Sequence, residues 1–86
     1  MSATDIESMV LDVVSRHAPN ANTVAVRREA RLKAELGIDS LVFVLILFDL
    51  QEELGIEFVG TGFSTQNVTS VADLVEACRV LRERAA

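Results

Sequence analysis

The chain has 86 residues, of which 50% are hydrophobic, and its formal net charge at pH 7 is −5. This length allows one small domain with a single core. The acidic balance argues against nucleic-acid binding, because phosphate backbones are bound by basic surfaces. There is no Trp, no Tyr and only four Phe, so Leu, Val, Ile and Ala must build the core, which favours helices packed on helices.

The single cysteine, Cys78, excludes an internal disulfide and a multi-cysteine metal site. No apolar run approaches the roughly 18 residues needed to cross a bilayer. The N-terminal residues MSATDIES lack the basic start and the long apolar run of a signal peptide. These features predict a cytoplasmic protein without a membrane partner.

The first predicted helix runs from about residue 5 to about residue 17. Thr4 and Glu7 form a capping-box pattern at its start, and Pro19 follows its end. The apolar residues between them recur at helical spacing and form one stripe: Ile6, Met9, Val10, Val13 and Val14.

Residues 19–36 are predicted to form a long ordered connection, which Leu32 and Leu36 pin to the core. This connection contains four of the eight basic residues of the chain: Arg27, Arg28, Arg31 and Lys33. Such a cluster is usually a solvated loop face, and we interpret it in this way. A local docking patch is the alternative.

The second helix is predicted over 40–54, between the breaks at Gly37 and Gly55. A loop with one short helix or turn over 62–67 follows. The third long helix is predicted over 70–84, because Ser70 and Asp73 form another capping box. The predicted fold is therefore all-α, a bundle of three long helices plus one short helix or turn, and thus four helical pieces in one domain.

Ser40 precedes eight consecutive apolar residues, 41–48, and its hydroxyl allows three interpretations. It can be an ordinary helix cap. It can be a nucleophile, but that role needs a neighbouring base, and the only histidine, His17, lies at the end of the first helix. It can also be an acceptor that another enzyme modifies, since a helix N-terminus favours an attached phosphate.

The sequence LGIDSL at residues 36–41, followed by an amphipathic helix and by EELGIEF, resembles the acyl carrier and peptidyl carrier proteins. The similarity covers nearly the whole chain, in length, acidity and helix order. It implies a non-catalytic carrier with an acyl-carrier-like fold and no metal. Its cofactor would be 4′-phosphopantetheine, attached covalently to Ser40 from coenzyme A.

The resemblance also assigns roles to the neighbours of Ser40. Asp39 matches the acidic residue that is associated with the phosphopantetheinyl transferase. Gly37 matches the glycine at the turn into the helix, and Leu41 matches the hydrophobic residue at the base of the arm. The implied partners are this transferase, an acyl- or aminoacyl-loading enzyme, and a downstream synthase or transferase. The carrier itself is expected to be a monomer.

The second helix departs from the pattern of many fatty-acid carriers, in which acids follow the serine. Here the first acid after Ser40 is Asp49. Partner binding is therefore predicted to use apolar side chains together with this acid: Val42, Phe43, Leu45 and Asp49. A specialised pathway, such as polyketide, nonribosomal peptide or small-unit supply, fits this surface better than fatty-acid synthesis, which stays an alternative. The other alternative is a helical interaction or regulatory module that has the carrier fold without the prosthetic group.

A helix cannot bury eight consecutive residues unless it is covered on all sides. We expect Val42 and Leu45 to face away from the core. The expected core-facing side consists of Leu41, Val44, Ile46 or Leu47, and Phe48, and continues through Leu50 and Leu54. Two or three apolar side chains near Ser40 should therefore be exposed. The alternative is that the connection over 19–36 covers them.

Overall fold

The structure, a computed structural model, describes residues 3–20, 25–58 and 65–85. Three long helices dominate it: α1 (Ala3–His17), α2 (Ser40–Leu54) and α3 (Val71–Ala85). In these ranges there is no strand, only an isolated antiparallel bridge between Arg31 and Ser70. The prediction of an all-α chain with three long helices is confirmed.

The first helix starts earlier than the sequence pattern indicates. It begins at Ala3, two residues before the predicted start, so Thr4 lies inside the helix rather than ahead of it. Alanine is the best helix former, and the acidic Asp5 and Glu7 favour a helix N-terminus. The end at His17, just before Pro19, is as predicted.

The second helix ends, and the third helix begins, close to the capping signals that the sequence contains. Gly55 follows α2 in the left-handed conformation, with φ of 66°, and its backbone N–H donates to the Gln51 carbonyl. At α3 the N–H of Asp73 donates to Ser70 Oγ, and the N–H of Ser70 donates to Asp73 Oδ2, both at 3.2 Å. α3 starts and ends one residue later than predicted.

The short helix predicted over 62–67 is not confirmed. Its described part is a single 3₁₀ turn, Thr65–Asn67, and residues 62–64 lie outside the described residues. This turn is too short to serve as a fourth helix of the bundle, so the described fold is a three-helix bundle.

α1 is the central element, because it packs against both α2 and α3, whereas α2 and α3 contact each other only slightly. The largest fully buried side chains come from all three helices and from the connection before α2: Val10, Val13, Val14, Leu36, Ile46, Leu50, Val71, Leu74 and Cys78. The predicted anchor Leu32 is buried as well. Burial raises the pKa of the Cys78 thiol to about 12.

No charged or polar residue in the described ranges is buried. The core is therefore aliphatic, as the composition indicates. None of the described helices combines the length and the apolar character that crossing a lipid bilayer requires.

Candidate functional site

The segment that precedes α2 is tied to the start of α3 by backbone hydrogen bonds. The N–H of Leu32 donates to the Thr69 carbonyl at 2.9 Å, and the N–H of Val71 donates to the Ala30 carbonyl at 3.0 Å. The N–H of Ile38 donates to the Leu32 carbonyl at 2.9 Å. Because of these bonds, residues 30–34 lie beside the N-terminus of α2.

Gly37 makes the turn between this segment and α2. Its φ is 71°, a left-handed conformation that glycine adopts without strain. A Cβ at this position would lie 3.0 Å from Asn20 Nδ2, and the Asn20 N–H donates to the Leu36 carbonyl at 3.3 Å. Gly37 therefore provides both the turn and a close approach to Asn20, at the start of the connection over 19–36.

Asp39, not Ser40, is the N-cap of α2. Its backbone is extended, and its Oδ1 accepts a hydrogen bond from the Val42 N–H at 2.9 Å. Ser40 is the first residue of α2 and is exposed. No group in the described part of the chain takes a hydrogen bond from its hydroxyl. The capping role, the ordinary explanation for a serine here, is thus already filled.

An apolar stripe lies on the exposed side of α2, directly after Ser40. Its exposed fractions are 71% for Leu41, 45% for Val44, 45% for Leu45 and 60% for Phe48. These positions lie within about 100° of arc around a helix with 3.6 residues per turn. We call these four side chains the α2 stripe. Exposed apolar residues near Ser40 were expected, and this expectation is confirmed.

The predicted orientation of α2 was wrong for several side chains. Leu41, Val44 and Phe48 were expected to face the core but are exposed, whereas Val42 was expected outside and packs, half-buried, against the core. Ile46, Leu50 and Leu54 are buried as predicted, and Leu45 is exposed as predicted. Eight successive apolar residues have no periodicity, so they do not indicate which side of the helix faces the core.

The side of α2 that faces the core can be derived from the polar, C-terminal part of the helix. Leu50 and Leu54 stand among acidic and amide residues, and both are buried. Counting back in steps of four from Leu54 leads through Leu50 and Ile46 to Val42, the face that packs inward. This signal was present in the sequence.

A groove of 580 Å³ opens beside Ser40. Its apolar walls come from the segment before α2, from α2 and from the approach to α3: Leu32, Ala34, Ile38, Phe43, Val44 and Val68. Ser40, Asp39 and Thr69 add polar groups. The volume lies within the range of about 300–1,000 Å³ that is usual for small-molecule sites.

Two cations line the same groove, Arg31 and Lys33. Both are exposed, and neither side chain forms an ion pair within the described ranges. Arg28, from the same basic cluster, instead pairs with Glu7 at 2.5 Å. The basic cluster was predicted to be a solvated loop face, and its four residues are indeed exposed. That Arg31 and Lys33 line the same groove as Ser40 was missed, because this arrangement depends on contacts between distant parts of the chain.

Asp49, predicted to bind partners, is half-buried and engaged within the molecule. Its Oδ2 lies 2.5 Å from His17 Nε2, and Arg16 contacts Glu53 Oε2 at 2.6 Å. His17 is half-buried at the end of α1. The hydrogen bond to Glu53 is the main cause that raises the pKa of Arg16.

His17 is remote from Ser40. Its partner Asp49 lies nine residues along α2 from the serine (49 − 40), which is roughly 13 Å along the helix axis. A serine nucleophile needs its base within about 3 Å, so these two residues do not form a catalytic pair. No group of three or more potential metal ligands occurs among the described residues.

Of the predicted site residues, Gly37, Asp39, Ser40 and Leu41 adjoin one another at the start of α2, and Phe43 lines the groove. Leu45 lies in the stripe, whereas Val42 faces inward and Asp49 lies near the end of α1. No protein-family profile matches the chain, and no curated protein matches it in sequence.

Proposed function

We propose that this chain is a carrier protein and that Ser40 is the attachment site of a 4′-phosphopantetheine arm. When bound, the arm supplies a terminal thiol that holds an acyl or aminoacyl intermediate as a thioester. The observation that supports the proposal most directly is the Ser40 hydroxyl, which is exposed on the first residue of α2 while Asp39 supplies the cap.

The surroundings of Ser40 fit the prosthetic group. The phosphate would lie at the N-terminus of α2, where free N–H groups and the helix dipole favour negative charge. The groove beside the serine is open and largely apolar, so a flexible arm has a route away from its attachment point.

Loading is chemically complete with coenzyme A as donor. Ser40 Oγ forms a bond to the phosphorus next to the pantetheine, the pyrophosphate bond of coenzyme A breaks, and adenosine 3′,5′-bisphosphate leaves. The hydroxyl proton passes to a base of the transferase, since the only histidine of the chain is engaged with Asp49. The carrier thus contributes position and exposure, and its partner contributes the acid–base chemistry.

The α2 stripe supports docking by apolar contact. No charged residue stands between Ser40 and Asp49, so the surface of α2 that follows the serine offers a partner the apolar α2 stripe rather than acids. A specialised polyketide, nonribosomal peptide or small-unit supply pathway suits such a surface, and a fatty-acid synthesis carrier is the alternative. The partners would be a phosphopantetheinyl transferase, a loading enzyme and a downstream synthase or transferase.

The α2 stripe also favours a second candidate, an interaction module with this fold and without a prosthetic group. Exposed contiguous apolar patches commonly mark protein contacts. Such a module has no need of an accessible hydroxyl at the start of α2, and this difference separates the two candidates experimentally.

The test is incubation with coenzyme A and a broad-specificity phosphopantetheinyl transferase, followed by intact-mass measurement. We expect the mass of one phosphopantetheine to be gained by the wild type and by Ser8→Ala, a control at an exposed serine of α1. Ser40→Ala should gain nothing. It should still fold, as shown by its circular dichroism, because Asp39 keeps the cap.

The result that would overturn the proposal is a folded wild-type protein that several transferases leave unmodified. Modification that persists in Ser40→Ala would equally contradict the assignment of the site. The first outcome would favour the interaction module.

A further inference from the structure

The groove beside Ser40 has two properties that together suggest the chemistry of its occupant. Its walls are largely apolar, and its polar lining includes the guanidinium of Arg31 and the ammonium of Lys33. An occupant that matches both properties has an apolar body and an anionic end. A purely hydrocarbon ligand would leave the two cations without a counterpart.

The charge of the groove is opposite to that of the chain. Arg31 and Lys33 contribute two positive charges and Asp39 contributes one negative charge, which gives a net +1 among the lining residues, whereas the whole chain carries −5. Asp39 also directs one oxygen to the Val42 N–H. A local positive region in an acidic protein attracts an anion that the rest of the surface repels.

The backbone keeps the two cations next to the serine. Leu32, which stands between Arg31 and Lys33, donates its N–H to Thr69 and accepts the Ile38 N–H, both at 2.9 Å. Ile38 is only two residues before Ser40. The cations are therefore carried by a hydrogen-bonded segment that lines the same groove as Ser40.

We infer that this groove holds the phosphate end of the prosthetic arm, with Arg31 and Lys33 as the phosphate-contacting residues. The inference rests on the proposed function, since the phosphate would be bonded to Ser40 Oγ. The phosphodiester carries one negative charge, and that charge would lie at the mouth of a groove with a net +1. The pantetheine chain would continue along the apolar walls formed by Ile38, Phe43 and Val44.

The inference is testable without the covalent bond. A short tether gives an effective concentration in the millimolar range, so a groove that holds the tethered arm should bind the free arm at about that concentration. The probe is free 4′-phosphopantetheine, added to the unmodified full chain up to roughly 10 mM, with dephosphorylated pantetheine as the matched ligand. Backbone amide NMR shifts report where each ligand binds.

We expect 4′-phosphopantetheine to shift residues 31–34, 38–44 and 68–69 with saturable behaviour, and pantetheine to bind at least about fivefold more weakly, since an exposed charge contact contributes modestly. The double variant Arg31→Gln/Lys33→Gln should lose this preference for the phosphate. Arg27→Gln is the matched control, because Arg27 is exposed in the same basic cluster but does not line the groove. It should behave as the wild type.

Three results would overturn the inference: no saturable shifts in the groove, equal binding of the two ligands, or an equal loss of preference in Arg27→Gln. The amide spectra themselves show whether each variant is folded. The transferase assay at Ser40 is read separately. A groove that binds the free arm while Ser40 stays unmodified would contradict the carrier function and would leave the groove as a non-covalent site for the phosphorylated arm. A modified Ser40 beside an inert groove would contradict this inference alone.

Discussion

At the scale of single residues, two glycines hold the same left-handed backbone in different surroundings. Gly37 has φ of 71° and Gly55 has φ of 66°. A Cβ on Gly37 would lie 3.0 Å from Asn20 Nδ2, whereas a Cβ on Gly55 would meet nothing within 4 Å. The pair therefore separates the cost of the backbone conformation from the cost of a close contact.

We expect Gly55→Ala to lower the free energy of unfolding by about 1 kcal/mol, because alanine is strained in the left-handed region. Gly37→Ala should cost more, since Asn20 must also move and weaken its hydrogen bond to the Glu35 carbonyl, now 3.2 Å. Urea unfolding followed by circular dichroism measures both. Equal costs, or a larger cost at Gly55, would contradict the contact argument.

The N-cap of α2 is a feature that the sequence alone does not determine. Asp39 and Ser40 both belong to types that cap helices, so the sequence does not indicate which of them is the cap. The structure assigns the cap to Asp39 and leaves the Ser40 hydroxyl to solvent. The position of the motif at the start of α2 was predictable from the sequence, but which of these two residues caps the helix was not.

At the scale of whole elements, the N-terminus of α3 depends on one carboxylate. Asp73 Oδ2 accepts hydrogen bonds from the Thr69 N–H and Oγ1, both at 3.0 Å, and from the Ser70 N–H at 3.2 Å. The backbone N–H of Thr69 is the main cause that lowers the pKa of Asp73 below its usual value of 3.8. The ionised form therefore stabilises the fold.

We expect Asp73→Asn to lower the free energy of unfolding by about 1 kcal/mol at neutral pH, the usual cost of a weakened cap. Because the pKa is lowered in the folded state, the contribution is present above 3.8 and is lost as the pH falls through the folded-state pKa. The difference between wild type and variant should therefore shrink in acid.

Urea titrations of both proteins at a series of pH values measure this difference. Glu57→Gln is the control, because Glu57 is exposed and its carboxylate forms no hydrogen bond or ion pair within the described ranges. A difference that stays constant below pH 3.8 would exclude a role for the Asp73 charge.

The long helices show which parts of an element are predictable. Their ends follow local signals such as Gly55 and the Ser70–Asp73 capping box, and the predicted bounds lie within two residues of the observed ones. The orientation of α2 is a different problem. Its apolar run has no period, so only Leu50 and Leu54, at the polar end, determine which side packs inward.

At the scale of the whole molecule, side-chain pairs join α1 to α2 at a distance from Ser40. The pairs of Arg16 with Glu53 and of His17 with Asp49 connect the end of α1 to the later part of α2. These contacts use two of the acids that would otherwise face a partner. The region near Ser40 keeps its exposed apolar side chains, so docking should depend on the α2 stripe.

We expect Val44→Asp and Leu45→Glu each to lower kcat/KM for modification of Ser40 by the transferase roughly tenfold. Covering two or three such side chains contributes on the order of 2–4 kcal/mol at about 25 cal/mol per Å², and 1.4 kcal/mol corresponds to about a factor of ten. Raised salt should change the rate little, because exposed charges contribute less than the apolar contact.

The control is Ser8→Asp, which adds an acid to an exposed position of α1 and should react like the wild type. Strong inhibition by salt, with stripe variants that react normally, would instead indicate docking through charges.

Features that depend on contacts between distant parts of the chain could not be predicted from this sequence. The helix order and the acidic, aliphatic character followed from composition and periodicity. The groove did not, because it depends on backbone bonds such as that between Leu32 and Thr69, which are distant in the chain. Arg31 and Lys33 thus looked like ordinary loop cations until that pairing placed them beside Ser40.

The burial of Cys78 has a practical consequence for chemical labelling. Cys78 is the only cysteine of the chain, it is fully enclosed by α3 and its neighbours, and its thiol has a pKa of about 12. At neutral pH it is therefore almost entirely protonated and out of reach of alkylating reagents. If Ser40 carries the proposed arm, a maleimide dye added to the folded protein would label the free thiol of the unacylated arm alone, so a fluorophore could follow the arm without any mutation of the polypeptide.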